Sequence, residues 1–343
     1  MMKYSFKDDY SEGCHPAILA ALAEHNLSQH IAYGYDEISK AARALIGEKL
    51  GNDDASIYFV SGGTQANLII IASLLRPHEA VISAASGHIA LHETGAIEAV
   101  GHKVITVASK DGKLAADDVR RVVTENTDMP HMAKPRLVYI SNAAETGLIY
   151  KKAELEALSK VCREHDLLFM LDGARLGAAL ASKFNDVTLA DLSRLTDIFW
   201  IGGTKAGALL GEAIVINRPE LAKDFPFHIK QRGALLAKGR LLGVQFQALF
   251  TDEVFFTASR HANHMAETLS KAITQAGYKL SSRTETNQIF PILPNDVTEK
   301  LEQDFRFYRW EPCDEAHTIL RLVTSWATRE GQVKRFISRL ERG

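Results

Sequence analysis

The sequence predicts an α/β protein in which a mainly parallel, seven-stranded sheet is covered by helices on both faces and is followed by a smaller α+β domain. Two observations predict this fold class. Strand-like apolar runs alternate with helical patterns over about two thirds of the 343 residues, and such alternation implies crossover connections between parallel strands. Beyond position 219 the pattern changes to helices and short strands. We therefore expect a large domain with an N-terminal arm over residues 1–250 and a small domain over residues 251–343.

The elements of the large domain can be assigned in order from their periodicity. Residues 15–25 and 37–50 repeat apolar residues at helical spacing. Short apolar runs bounded by turn-forming residues then predict the strands SIYFV, AVISA, KVITV, RLVYIS, LLFMLD, DIFWIG and EAIVI. Helical patterns predict the connections TQANLIIIASLL, HIALHETGAIEAV, LAADDVRRVVTEN and KAELEALSKVCREH, and a further short helix precedes DIFWIG.

The last part of the chain has a different pattern. Residues 219–252 read as long helix, and a further helix, the strands QIFPIL and ILRLVTS and a final helix follow. We see no internal repeat or flexible linker in this region. These elements predict the smaller α+β domain.

Composition excludes several classes of protein. The formal net charge is -2, from 40 basic and 42 acidic residues without a basic stripe, which argues against a nucleic-acid partner. The first residues carry acids where a signal peptide needs an apolar run, and the longest apolar stretch, LIIIASLL, is too short to span a membrane. Cys14, Cys162 and Cys313 are odd in number and widely spaced, which argues against disulfides and thiolate metal sites. We expect a cytoplasmic protein with reduced cysteines, no metal and no membrane partner.

Three features fall at the carboxyl ends of predicted strands, where ligands bind in such sheets. The segment SGGTQAN places glycines before a helix start and can bind a phosphate through free backbone N–H groups. Asp172 ends the apolar run LLFMLD and needs a partner if it is buried. Lys205 lies between small residues in IGGTKAG, although lysine is among the residues least often buried.

Each feature alone has an ordinary structural interpretation. Gly-Gly-Thr before a helix is also a common turn with an N-cap. Asp172 could form an ion pair with the nearby Arg175. Lys205 could extend from a loop into solvent.

Together the three features predict a site for pyridoxal phosphate. A lysine can bind this cofactor as a Schiff base, a carboxylate can hold the proton of the pyridine nitrogen, and a helix N-terminus can bind the phosphate. Gly202, Gly203 and Gly207 leave room for a bulky ring beside Lys205. Burial would lower the proton affinity of the amine and favour its nucleophilic form.

Five segments carry a family resemblance: SGGTQAN, the SGH that ends at His88, LDGARLG, IGGTKAG and RLVTSW. Through these segments the chain resembles the low-specificity L-threonine aldolase and phenylserine aldolase group. The resemblance extends over essentially the whole chain. The members of this group are fold-type-I pyridoxal phosphate enzymes of the aminotransferase superfamily and the beta-eliminating lyase group. The resemblance implies retro-aldol cleavage of L-threonine, L-allo-threonine or a related β-hydroxy-α-amino acid to glycine and an aldehyde.

The resemblance also implies roles for individual residues. Lys205 resembles the Schiff-base lysine, Asp172 the partner of the pyridine nitrogen, and His88 the histidine that stacks on the cofactor ring. Arg175 and Arg321 resemble the pair that binds the substrate carboxylate, a task suited to a planar fork. The remaining cofactor-binding positions are Gly62, Gly63, Thr64, Thr204 and Lys238, and Arg175 is expected to contact the cofactor as well as the substrate. The remaining substrate-binding positions are Tyr33 and Glu145. Tyr33 and Lys238 resemble residues that reach the site of a neighbouring subunit.

The sequence departs from the family pattern at two places. Many threonine aldolases have a histidine after the fifth strand, where this chain has Ala144 and Glu145 in SNAAETG. The base that accepts the proton of the β-hydroxyl could therefore be Glu145, His88, His92 or a water molecule. The serine that usually precedes the N-terminal aspartate is replaced by Lys7 or Asp8, depending on alignment.

Other functions remain possible at this stage. The cofactor site does not fix which bond breaks, so β-elimination or transamination of an amino acid is the nearest alternative. A phosphate-binding or nucleotide-binding protein without the cofactor would leave Lys205 structural, but no GxGxxG or GxxxxGK[ST] motif follows a strand. A non-catalytic scaffold leaves Asp172 and Lys205 unexplained. The fold type further implies a homo-oligomer with shared active sites, a dimer or a tetramer of paired dimers.

Overall fold

The computed structural model describes residues 3–341. Its strands are β1 (Tyr4–Ser5), β2 (Ser56–Val60), β3 (Glu79–Ala84), β4 (Lys103–Val107), β5 (Lys134–Ser141), β6 (Leu168–Asp172), β7 (Ile198–Gly202), β8 (Glu212–Ile216), β9 (Lys279–Leu280), β10 (Gln288–Ile289), β11 (Pro291–Pro294), β12 (Phe305–Arg306), β13 (Tyr308–Pro312) and β14 (His317–Val323). Its helices are α1 (Pro16–Glu24), α2 (Glu37–Leu50), α3 (Gly63–Leu74), α4 (His88–Leu91), α5 (Ala96–Ala99), α6 (Ala116–Glu125), α7 (Lys152–Glu164), α8 (Leu176–Leu180), α9 (Leu189–Leu195), α10 (Pro219–Ala222), α11 (Phe225–Gln231), α12 (Arg240–Phe250), α13 (Val254–Gln275), α14 (Asn295–Glu302) and α15 (Glu330–Glu341). Within this part of the chain, no helix combines the length and apolar character needed to cross a bilayer.

The large sheet confirms the predicted α/β class. Its seven strands lie in the order β2, β8, β7, β6, β5, β3, β4. Only β8 runs against its neighbours, since it pairs antiparallel with both β2 and β7, while the pairs from β7 to β4 are all parallel. The carboxyl ends of β6 and β7 therefore meet at one edge of the sheet.

Successive side chains of each strand lie on opposite faces of the sheet and pack in two separate apolar cores. On β7, Phe199 packs in the core beneath α7 and α9, whereas Trp200 packs in the core beneath α3. On β6, Met170 lies on the α3 side and Leu171 on the other side. Because strand side chains alternate with period 2, Asp172 also lies on the α3 side of the sheet.

A second sheet forms a smaller unit with α13 and α15. It contains β9, β10, β11, β13 and β14, all in antiparallel pairs. The N-terminal strand β1 pairs with β12, and Phe6 lies in the apolar core of this smaller unit beside Phe305 and Phe336. The smaller sheet agrees with the expected α+β region, and the boundaries 1–250 and 251–343 stay predictions.

The predicted lengths of two helices are wrong. The pattern of residues 88–100 predicts one helix, but Thr94 and Gly95 have positive φ values of 52° and 72°, and the segment divides into α4 and α5. Residues 219–252 likewise form three helices, with Gly233 at φ 69° after the second. A left-handed residue cannot continue a right-handed helix, so apolar periodicity across such a position overestimates helix length.

Candidate active site

Asp172 ends β6 and is 2 % exposed. Its Oδ2 accepts hydrogen bonds from Tyr139 Oη at 2.6 Å and from Asn67 Nδ2 at 2.9 Å, and its Oδ1 accepts from the backbone N–H of Ala174 at 2.9 Å. Three donors offset the cost of burying a carboxylate. The alternative of an ion pair with Arg175 is wrong, because no arginine lies within ion-pair distance of Asp172 among the described residues.

Sequence analysis missed Asn67 and Tyr139. Both lie on the same side of the sheet as Asp172: Asn67 on α3, and Tyr139 on β5 two residues before Ser141, the register partner of Asp172. A polar residue inside the otherwise apolar helix TQANLIIIASLL was the available signal for Asn67. Tyr139 gave no such signal, because tyrosine is ordinary in a buried strand.

The N-terminus of α3 lies beside this carboxylate. Gly62 is its N-cap, no side chain caps the helix, and a Cβ on Gly62 would meet no atom within 4 Å. By contrast, a Cβ on Gly63 would lie 2.9 Å from the ring of Trp200. The first-turn N–H groups of a helix have no intrahelical partner, so an open, uncapped terminus beside Thr64 can bind an anion.

Lys205 lies in a 3₁₀ turn, Thr204–Ala206, between β7 and β8. The turn is held by Glu212, whose carboxylate accepts from the backbone N–H of Gly203 and from Thr204 Oγ1, each at 2.9 Å. Thr204 Oγ1 in turn accepts from the N–H of Gly211 at 3.1 Å. The hydroxyl predicted to bind the cofactor is therefore also part of the turn that presents Lys205.

The amine of Lys205 has no hydrogen bond or ion pair within residues 3–341, and its nearest recorded ring is that of Tyr10, whose centroid lies 5.8 Å away. Burial lowers the pKa of Lys205, and the charge of Arg175 lowers it further. Asp9, Glu145 and Asp172 act in the opposite direction. A partly buried amine with a lowered pKa and no hydrogen-bond partner among the described residues is suited to nucleophilic chemistry.

Arg175 follows β6 and makes a two-bond pair with Asp9. Its Nε and Nη2 donate to the Asp9 carboxylate at 2.8 and 3.0 Å, and the two side chains are 8 % and 1 % exposed. Asn287 Nδ2 also donates to Asp9 at 2.8 Å. Two donors of the predicted substrate-binding arginine are thus bound to Asp9, a residue that sequence analysis did not select, which leaves Nη1 for a further ligand.

Arg321 lies on β14 in the smaller sheet. Its Nε and Nη2 donate to Gln288 Oε1 at 3.0 and 2.7 Å, and its guanidinium lies 5.2 Å from the ring centroid of Trp310. Burial lowers the pKa of Arg321, and the charge of Arg175 lowers it further. The effect of Arg175 on Arg321 indicates that the two predicted substrate-binding arginines lie near each other.

His88 and Glu145 form a pair. Nδ1 of His88 lies 3.1 Å from Oε1 of Glu145, and the His88 ring centroid lies 5.4 Å from that of His92. Burial opposes ionisation of Glu145, but the hydrogen bond and charge of His88 outweigh it and lower the pKa of Glu145 to about 2. Burial likewise opposes protonation of His88, but Glu145 outweighs it and raises the pKa of His88.

Tyr33 and Lys238 lie together, away from Lys205. The backbone N–H of Tyr33 donates to the carbonyl of Ala237 at 3.0 Å, and both side chains are exposed. Within the described residues, no recorded contact joins either side chain to Lys205 or Asp172.

The residues present fit pyridoxal phosphate. Lys205 offers an unpaired amine, Asp172 a fully hydrogen-bonded carboxylate, and α3 an uncapped N-terminus with open space at Gly62. These are the three kinds of group that bind the aldehyde, the pyridine nitrogen and the phosphate of this cofactor. An amine, a carboxylate and free backbone N–H groups thus lie at one edge of the sheet, each contributed by a different element.

Comparisons with known proteins agree with this arrangement. The model of the beta-eliminating lyase family matches residues 7–295. The chain is 34 % identical over 333 residues to the low-specificity L-threonine aldolase of a Pseudomonas species, covering 95 % of this chain and 94 % of that protein. A solved structure described as a Leishmania major threonine aldolase is similar with a TM-score of 0.97 and 50 % identity, covering 99 % of each chain. An aspartate aminotransferase from Thermus thermophilus, with a TM-score of 0.74 and 17 % identity over 99 % of this chain and 91 % of that one, shares the fold.

Proposed function

The chain belongs to the beta-eliminating lyase family of pyridoxal phosphate enzymes, and from this we propose that it cleaves L-threonine, L-allo-threonine or a related β-hydroxy-α-amino acid to glycine and an aldehyde. One observation at the site carries the proposal. Lys205, which is partly buried and makes no hydrogen bond or ion pair within residues 3–341, follows the strand next to the one that ends in the hydrogen-bonded carboxylate of Asp172. The likeness to proteins named as threonine aldolases supports the choice of reaction.

We assign the cofactor to residues from four segments. Lys205 would bind its aldehyde, Asp172 would hold a proton at its ring nitrogen, and His88 would stack on its ring. Gly62, Gly63 and Thr64 would bind its phosphate at the N-terminus of α3. When bound, the cofactor supplies an electron sink that stabilises negative charge at the α-carbon of an amino acid.

The protein's own groups then orient the substrate and move one proton. Arg321 would bind the substrate carboxylate through its planar fork, and Arg175 would add Nη1 while Asp9 fixes its orientation. This geometry directs the α-carbon side of the substrate toward Lys205. The arginines thereby determine which bond at the α-carbon is presented for cleavage.

We assign the base to His88, positioned by Glu145. Because Glu145 is ionised, Nδ1 of His88 donates to it, and Nε2 is left free to accept the proton of the β-hydroxyl. As the proton leaves the hydroxyl oxygen, the Cα–Cβ bond breaks and an aldehyde forms. The electron pair of that bond stays on Cα, which takes up a proton to complete glycine.

The substrate class is tested with a panel. The purified holoenzyme would be incubated with L-threonine, L-allo-threonine, phenylserine and hydroxyaspartate, and aldehyde and glycine would be measured together. We expect equal amounts of the two products from at least one substrate. A keto acid or ammonia without glycine would instead support transamination or β-elimination.

The role of Lys205 is tested by Lys205→Ala, with the exposed Lys223→Ala as the matched control. We expect Lys205→Ala to fold but to release aldehyde no faster than a reaction without enzyme, because the nucleophile is lost. Lys223→Ala should behave as the wild type. Normal turnover by Lys205→Ala would end the proposal.

The enzyme is further proposed to act in amino-acid metabolism in the cytoplasm, as a homo-oligomer. The odd number and wide spacing of the three cysteines support a reducing compartment. Exposed apolar side chains beside Tyr33 and Lys238, among them Leu27, Ile31 and Tyr35, support association of subunits at that surface. A dimer or a tetramer of paired dimers is consistent with this surface, and light scattering in solution distinguishes them.

A further inference from the structure

A second buried carboxyl group lies beside Asp172. Glu93 occupies the break between α4 and α5 and is 5 % exposed. Its Oε1 accepts one hydrogen bond, from Asn67 Nδ2 at 2.8 Å. Its Oε2 is buried and has no hydrogen-bond partner among the described residues. A buried carboxyl with a single donor is costly if it is ionised.

Asn67 links this group to Asp172. Nδ2 of Asn67 carries two hydrogens and donates to Oε1 of Glu93 at 2.8 Å and to Oδ2 of Asp172 at 2.9 Å. The amide cannot be reversed, because Nε1–H of the buried Trp200 donates to Oδ1 of Asn67 at 3.0 Å. Trp200 therefore fixes the amide so that both hydrogens face carboxyl oxygens.

The donors are divided unequally between the two carboxyl groups. Asp172 accepts from Asn67, from Tyr139 and from the N–H of Ala174. Glu93 makes a well-formed hydrogen bond only with Asn67, and the hydroxyl of Thr64 lies near enough to favour its ionised form weakly. Two carboxylates that share one donor in a buried site cannot both ionise without a large cost. The unequal donor count therefore favours the neutral form of Glu93.

The neighbouring charges agree with this distribution. Burial raises the pKa of Glu93 to about 7, and the charge of Asp172 adds to the effect. The hydrogen bond from Asn67, the charge of His88 and the hydroxyl of Thr64 oppose it. The titratable groups that face Glu93 are Asp172 on β6, His88 on α4 and Tyr139 on β5. Burial holds the pKa of Tyr139 well above its ordinary value, and the charge of Asp172 raises it further, so Tyr139 stays neutral. The groups contributed by α3 and β7, Thr64, Asn67 and Trp200, are uncharged.

We propose that Glu93 is a positioning residue that keeps a proton in the working enzyme, so that the Glu93–Asn67–Asp172 cluster presents a single negative charge toward the cofactor nitrogen. This proposal deepens the proposed function, on which it rests, because the charge of Asp172 matters most when a ring nitrogen faces it. Neutral Glu93 orients Asn67 without adding a second charge beside the N-terminus of α3, where the phosphate would bind.

The proposal predicts a proton uptake on folding that can be measured without the reaction. In the unfolded chain Glu93 would ionise near the ordinary glutamate pKa of about 4.3, whereas in the folded protein it would stay protonated until about pH 7. The contribution of Glu93 to the free energy of unfolding is therefore most favourable at low pH and is lost as the pH rises between these two pKa values. Glu93→Gln keeps the shape and the acceptor oxygen but cannot ionise, so it should not show this loss.

The experiment compares unfolding of the cofactor-free wild type, Glu93→Gln and the exposed control Glu98→Gln from pH 5 to pH 8. We expect the unfolding equilibrium constant of the wild type to rise relative to that of Glu93→Gln by about 40-fold in total between pH 5 and pH 7. Glu98→Gln should follow the wild type. Equal pH dependence of the wild type and Glu93→Gln would overturn the proposal, whether or not aldehyde is ever formed.

A second measurement, the absorption spectrum of the bound cofactor, distinguishes a role of the Glu93 proton from a role of the Glu93 side chain in packing alone. At pH 6 the absorption spectrum of the cofactor bound to Glu93→Gln should match that of the wild type, because both side chains are neutral. Glu93→Ala releases Asn67 and should shift the spectrum, and Glu93→Gln then acts as the conservative rescue. A shifted spectrum for Glu93→Gln at pH 6 would mean that the ionised carboxylate is required, which contradicts the proposal.

Discussion

Glu145 sets the protonation of His88, and with it the pH range in which His88 can act as a base. The two side chains are 3.1 Å apart, and the ionised Glu145 outweighs the effect of burial to raise the pKa of His88. A histidine accepts a proton only in its neutral form. Activity that depends on His88 as a base should therefore rise with pH through the pKa of His88.

Glu145→Gln tests this pairing. Removal of the negative charge should lower the pKa of His88, so the rising limb of kcat/KM should move to lower pH, by about one unit. Glu48 is an exposed glutamate on α2 with no recorded ion pair within residues 3–341. Glu48→Gln therefore provides the control and should leave the profile unchanged. If the limb of Glu145→Gln stays in place or moves to higher pH, His88 is not the base that Glu145 controls.

The residues at strand ends were the predictable part of the site. Asp172 and Lys205 interrupt apolar runs, and the cost of burying a charge makes such interruptions informative.

Asp9 lies in a polar segment, FKDDYS, and its partner Arg175 is 166 residues away. No local pattern marks a pair that forms only when the N-terminal arm meets the loop after β6. Glu93 could not be predicted either, for a different reason: the helical pattern of residues 88–100 gives no sign of the break at Thr94 beside it.

At the scale of elements, the loop after β6 is packed directly against the end of β7. The N–H of Gly202 donates to the carbonyl of Gly173 at 3.0 Å, and a Cβ on Gly173 would lie 1.8 Å from the backbone oxygen of Trp200. This close approach brings Asp172 next to the turn that carries Lys205. The mainly parallel direction of the strands was predictable from alternation, but the strand order and this backbone contact were visible only in the structure.

Gly173→Ala should therefore separate these two strands. Since the obstructing atom is backbone and cannot rotate away, we expect a loss of about 3 kcal/mol or more in the free energy of unfolding, measured by denaturant titration. Gly47→Ala is the opposite case, because it lies within α2 with no atom within 4 Å of an added Cβ. That variant should gain about 0.5–1 kcal/mol. A Gly173→Ala protein as stable as the wild type would contradict the close contact.

At the scale of the whole molecule, Asp9 joins three separate parts of the chain. It comes from the N-terminal arm and binds Arg175 after β6 and Asn287 just before β10. Burial raises the pKa of Asp9, but Arg175 and then Lys205 outweigh this effect and lower it. A carboxyl with a lowered pKa contributes stability that is present above its unfolded pKa and is lost as pH falls through its folded value.

Asp9→Ala leaves Arg175 buried without a partner, and we expect a loss of about 3–5 kcal/mol at neutral pH. The deficit relative to the wild type should shrink in acid, where the wild type also loses the pair. Asp8→Ala removes only local hydrogen bonds to Ser11 and Tyr10 and should change stability by less than about 1 kcal/mol. Urea titration at two pH values measures both effects, and an Asp9→Ala deficit that does not depend on pH would exclude the ionised pair as its cause.

The position of Lys238 has a consequence for the assembled enzyme. Lys238 is exposed beside Tyr33, and no recorded contact within residues 3–341 joins its side chain to Lys205. This position favours a contribution that crosses a subunit interface. If it does, Lys205→Ala and Lys238→Ala carry defects in different halves of a shared site. A mixed dimer then contains one site with both lysines intact and one site with neither, since a two-fold interface exchanges the same residues in both directions.

Co-expression of the two variants tests this arrangement directly. If each variant alone is inactive and the subunits mix at random, half of the dimers are mixed and one of their two sites is intact, so about a quarter of wild-type activity should return. The control pairs Lys205→Ala with Asp172→Ala, whose defects lie in the same half of the site. That pair should restore nothing, because every mixed site retains a defect. Failure of the first pair to complement, or full activity of Lys238→Ala alone, would remove Lys238 from the shared site.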